Sequence, residues 1–76
     1  MNETTRKLMY PKDRREYHEA FLETYNQDTW KNKLISDFGE KYYLKVMEIY
    51  KERLEKNDFM IGPQTVSEWE ELRKSL

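Results

Sequence analysis

An all-α fold, a small bundle of three to four helices with a short C-terminal helix after a Gly-Pro break, is predicted by three observations. Apolar side chains recur at helical spacing along most of the chain. The two Gly and two Pro are sparse enough to act as punctuation between such stretches. Capping residues precede several of the stretches at the offsets that helix N-termini use. The 76 residues form one helical domain, 1–76, in which 1–10 are expected to be disordered or frayed, 58–64 to form a loop and 65–76 the C-terminal helix.

Pro11 follows an apolar pair and suits the first turn of a helix, where its missing N–H is not needed. From there "KDRREYHEAFLETYNQ" reads as the first helix. At 100° per residue Tyr17, Phe21, Leu22 and Tyr25 share an arc of about 140°, with Lys12, Glu16, Glu19 and Glu23 opposite. In "DTWKNKLISDF", Asp28 can cap the first free amides, and Trp30, Leu34 and Phe38 make a stripe.

Asp37 and Glu40 have the spacing of a capping box and open "GEKYYLKVMEIYKERLEKN". Its Tyr42, Tyr43, Val46, Met47, Ile49, Tyr50 and Leu54 span about 160°, wider than one-sided packing requires, so this helix should touch more than one neighbour. Glu48 with Lys51, Lys51 with Glu55 and Glu52 with Lys56 are spaced to pair on the other face. Asn57 is placed as a left-handed C-cap. "FMIGP" then interrupts the helix, yet its three apolar residues need cover. Thr65 and Glu68 form a second capping box ahead of a helix with Trp69, Leu72 and Leu76 on one side.

A chain of this size buries only about 60% of its unfolded surface, so its stability should be roughly 3–5 kcal/mol. No Cys is available for a disulfide and the one His makes a metal staple improbable, which leaves self-association or heavy aromatic packing. Six Tyr, three Phe and two Trp supply the latter. The apolar width of the third helix, in so short a chain, predicts a homodimer or a constitutive complex with another protein. The N-terminal stretch has no apolar run of signal or membrane-span type, and a cytoplasmic protein that does not enter a membrane is expected.

The chemistry read from the sequence is mostly exclusion. His18 and Glu19 resemble the start of a zinc-protease motif, but the second ligand position falls on Leu22. His18 is better read as a satisfied, partly buried histidine. The Ser and Thr residues near helix starts read as caps rather than nucleophiles, and Gly39 and Gly62 stand alone, outside any phosphate-binding loop. No enzyme, metal or cofactor is expected.

What remains is binding of another protein, in the form of an inhibitor, adaptor or regulator of a larger bacterial or phage machine. Arg53 lies inside the apolar arc of the third helix. Its stem should follow the core while its head reaches water, or else anchors a partner's carboxylate. Phe59, Met60, Trp69 and Leu72 are the other candidate protein-contact residues, with Ile61 expected to pin the linker. The alternative is a small DNA- or RNA-binding regulator, possibly dimeric, using Lys12, Arg14 and Arg15. Fourteen basic against fifteen acidic residues provide no overall field for nucleic acid, and carboxylates on the third helix would repel phosphates.

Overall fold

The computed structural model describes residues 2–76 and is helical, with α1 Glu3–Met9, α2 Arg14–Tyr25, α3 Asp28–Phe38, α4 Glu40–Lys56 and α5 Val66–Ser75. The additional helix is α1, in the stretch expected to fray. Seven residues are too few to show a repeating apolar face, and polar contacts hold this helix instead. Asn2 Oδ1 accepts from the Thr5 N–H at 2.7 Å. The Arg6 guanidinium then bridges Glu3 at 2.8 Å and Glu16 of α2 at 3.0 Å.

The start of α2 differs from expectation by a few residues. Pro11 lies outside the helix, and Asp13 is the N-cap, accepting from the Glu16 N–H at 2.9 Å. Asp28 does not cap α3; it is the first helical residue, after an N-cap Gln27 that makes no side-chain bond. Nor does the Asp37–Glu40 capping box form. Asp37 is still within α3, and Gly39 makes the corner alone at φ 97°, a conformation that side-chain-bearing residues rarely adopt.

Helix α4 is the centre of the fold. It buries Tyr43, Val46, Met47, Ile49, Tyr50 and Arg53. Val46, Ile49 and Tyr50 form the core cluster, surrounded by Tyr17, Phe21 and Leu22 of α2, Tyr42 of α4, and Trp69 and Leu72 of α5. Each large side chain so covered contributes about 1.5–3 kcal/mol. The Tyr43 hydroxyl also donates to the Tyr25 carbonyl at 3.1 Å, tying α4 to the end of α2. Most of the wide apolar arc is thus buried within one chain.

Asn57 ends α4 in the left-handed region at φ 52°. Of the three expected ion pairs only Glu52–Lys56 closes, at 2.8 Å. The loop that follows turns back onto α4 at Gly62, where φ is 76° and a Cβ would lie 3.1 Å from Ile49 Cγ2. Thr65 caps α5 by accepting from the Glu68 N–H at 3.2 Å, and Glu68 Oε2 in turn accepts from the Gln64 N–H at 3.0 Å. The radius of gyration, 12.5 Å, exceeds the about 11.4 Å typical of this length. Among the described residues no helix is long and apolar enough to cross a membrane.

Candidate functional site

Two features stand out around α4: an open aromatic cleft on the α3–α5 side and a buried arginine beneath the loop that leads into α5. The cleft, about 360 Å³, has a floor of Phe21 and Tyr25 from α2 and Tyr42, Val46 and Tyr50 from α4. Leu34 and Phe38 of α3 form one wall, and Val66, Trp69, Glu70 and Arg73 of α5 the other. It exists because α5 meets α4 chiefly through Trp69 and Leu72, so the two helices converge on those side chains and leave space beside them.

The rings around the cleft form a continuous series. Centroids are 6.0 Å apart for Trp30 and Tyr25, 4.5 Å for Tyr25 and Phe21, and 4.1 Å for Phe21 and Tyr50. The series continues through Tyr50 and Trp69 at 6.1 Å, Trp69 and Tyr42 at 6.4 Å, and Tyr42 and Phe38 at 5.5 Å. At the rim Phe38 is 44% and Val66 75% exposed. The Arg73 guanidinium lies over the Phe38 ring at 5.4 Å. Burial raises the Tyr42 phenol pKa, with the charge of Arg73 acting in the opposite direction.

Arg53 is at the centre of the second feature. It is only 5% exposed, so its head does not reach water, and all its partners belong to this chain. Its Nε donates to the Ile61 carbonyl at 2.7 Å, Nη2 donates to the Pro63 carbonyl, and Nη1 approaches His18 Nε2 at 3.2 Å. Its carbon centre lies 5.4 Å from the Tyr50 ring and 5.7 Å from the Trp69 ring. Occupied in this way, Arg53 is not available to a partner's carboxylate; it clips the loop to α4.

The clip also fixes the state of His18. Because a guanidinium only donates, Nε2 must present its lone pair, and Nδ1–H donates to the Arg14 carbonyl at 2.7 Å. Burial holds the imidazole pKa below 6.5; the Arg14 carbonyl opposes that shift and the charge of Arg53 adds to it.

The remaining predicted contact residues are dispersed. Phe59 is half-buried with its ring 4.9 Å from that of His18. Met60 is exposed, with Arg14 Nη1 3.6 Å from its sulfur. Trp69 lines the cleft, whereas Leu72 packs on the core cluster. Of the basic residues proposed for nucleic acid, Arg15 is paired with Glu19 at 3.1 Å and reaches the Leu54 carbonyl and Asn57 at the end of α4. Lys12 is exposed, and its backbone N–H donates to Glu16 at 3.2 Å.

Sequence reasoning did not single out Leu34, Phe38, Tyr42 and Val66 as contact residues. The stripe Trp30, Leu34, Phe38 was the available signal, since nothing in the pattern of α3 shows what should cover Phe38. No group of three or more His, Cys, Asp or Glu side chains is arranged to hold a metal ion among the described residues. Compared with known protein families, curated proteins and solved structures, the chain matches none.

Proposed function

We propose that this protein acts by binding another protein, as an inhibitor, adaptor or regulator in the cytoplasm rather than as an enzyme, and that the cleft between α3 and α5 receives the partner. The observation that carries the reading is the cleft itself: an open, largely aromatic hollow with Phe38 and Val66 exposed at its rim. About 360 Å³ is at the low end for small-molecule sites. Open between two helices, it suits two or three apolar side chains from one face of a partner's amphipathic helix. Glu70 and Arg73, on one wall, can pair with the polar edges of such a helix. Arg and aromatic side chains are the types enriched at such interfaces.

The only histidine supports the non-catalytic reading, because both of its ring nitrogens are engaged internally. Nucleic-acid binding through Lys12, Arg14 and Arg15 is the weaker alternative, since Arg15 is committed to Glu19 and to the end of α4.

Affinity capture from nuclease-treated host lysate tests the choice with three baits. The wild type and a Lys12, Arg14, Arg15→Ala triple variant should retain the same protein, and a Phe38→Asp, Val66→Asp double variant should lose it. Retention by the cleft variant and loss by the triple variant would favour the basic surface.

A further inference from the structure

Helix α5, like α3, is joined to the other helices by side-chain packing. No hydrogen bond or ion pair joins residues 66–76 to α1–α4 among the described residues, and none of its residues is fully buried. It is secured by Trp69 and Leu72 on the core and, through the loop before it, by two hydrogen bonds from Arg53 to the Ile61 and Pro63 carbonyls. The guanidinium holding those carbonyls is itself braced by His18 Nε2 at 3.2 Å and lies against the face of Trp69. Loop, α5 and α2 therefore meet at one side chain.

We propose that α5 and the loop before it form a strap, latched by Arg53 and released by protonation of His18. A proton on Nε2 replaces the acceptor of Arg53 with a second donor and sets two cations 3.2 Å apart in a buried site. No carboxylate can offset that. The charged and titratable groups around the imidazole are Arg14 and Tyr17 on α2 and Tyr50 and Arg53 on α4; the loop presents Phe59 and carbonyls, and α5 presents Trp69. Neither Arg53 nor His18 forms an ion pair among the described residues.

Withdrawal of Arg53 from the imidazole loosens its hold on Ile61 and Pro63 and removes the cation beneath Trp69. Helix α5 then loses the tie through its loop and keeps only Trp69 and Leu72 on the core and Arg73 over Phe38, while α1–α4 keep their own contacts. The strap supplies one wall of the cleft, so its release also dismantles that cleft. The latch itself does not depend on what the cleft binds.

The sign follows from the tautomer. Neutral His18 is the latched form, so the latch is complete above pH 6.5 and is lost as pH falls through the depressed value of the folded protein. The carboxylates paired with Arg6, Glu3 and Glu16, are held below their ordinary 4.5 and titrate in a lower window.

With only one histidine, nuclear magnetic resonance follows the latch without ambiguity. Between about pH 7 and pH 4.5 the imidazole signal and the amides of residues 61–76 should titrate with one midpoint below 6.5. Hydrogen-exchange protection of α5 should fall by about 5-fold or more after correction for intrinsic rates, within the usual range of coupling between sites. Amides of α2–α4 distant from the clip should not move. In His18→Gln, α5 should stay protected across the same range. Titration of the imidazole without a response in α5, a response that persists in His18→Gln, or loss of all helices together would each overturn the proposal. If His18→Gln does not fold, the wild-type titration decides alone.

Discussion

Replacing Arg53 by Met keeps the apolar stem and removes the fork, so it isolates what the clip contributes. Three acceptors lose their donor: two loop carbonyls, which water can partly reach, and His18 Nε2, which it cannot. Bonds from a charged donor contribute about 1.5–3 kcal/mol each, and the contacts with Tyr50 and Trp69 add about 0.5–2 kcal/mol each. Against this, the variant no longer buries a cation that has no carboxylate partner, and partial hydration recovers part of the carbonyl bonds. The net loss should be about 3 kcal/mol, a large share of the stability of so small a domain. Thermal unfolding followed by far-UV circular dichroism should show a fall of about 10–20 °C. Arg53→Lys should recover less than half of it, because an ammonium cannot reach three separated acceptors with one planar fork. A fall below about 4 °C, with Arg53→Lys equal to the wild type, would show that water satisfies the loop and that no clip exists.

Gly62→Ala should cost about 1–2 kcal/mol in a urea melt, since φ is 76° and the new Cβ meets Ile49 Cγ2 at 3.1 Å. Trp69→Ala should lose about 2 kcal/mol, less than a fully buried Trp would, and should keep the helical signal of α1–α4; complete unfolding would place Trp69 in the core proper. Phe38→Asp with Val66→Asp should leave the melting temperature within about 4 °C of the wild type, because both side chains are already exposed. Asn2→Ala should destabilise α1 by about 1 kcal/mol, visible as faster amide exchange of Thr5.

The parts of the fold legible in the sequence are those with a periodic apolar face. The stripes of α2 and α4 and the left-handed Asn57 follow from spacing and cap chemistry alone. Helix α1 escaped because its order depends on Arg6 meeting Glu16, a partner on another helix, and no local rule anticipates that. The Asp37–Glu40 spacing misled because Gly39 makes the corner with its own backbone, without a cap.

Arg53 was placed correctly on the apolar face of α4, but its environment was not legible. Whether an arginine on such a face snorkels or turns inward depends on what lies above it. Here that is a pair of carbonyls from the "FMIGP" loop together with His18. The same loop explains why "DFMIGPQTVSEWEELRKSL" is neither a simple core segment nor a free hook. Trp69 closes part of the core, Arg53 holds the linker, and the remaining face of α5 stands away from α3 and creates the cleft. Phe38 and Val66 become neighbours of that cleft only through this tertiary arrangement, so neither was recognisable as a contact residue from its sequence position.

The most direct measurement of the central claim is site-specific photocrosslinking in host cells, with a photoreactive side chain at Val66 on the cleft rim and, separately, at Lys12 in the basic segment. Both positions are exposed, so neither replacement disturbs packing. The account predicts a discrete protein adduct from position 66, abolished by Phe38→Asp, and no comparable adduct from position 12. An adduct with nucleic acid, or with a protein from position 12 alone, would contradict it.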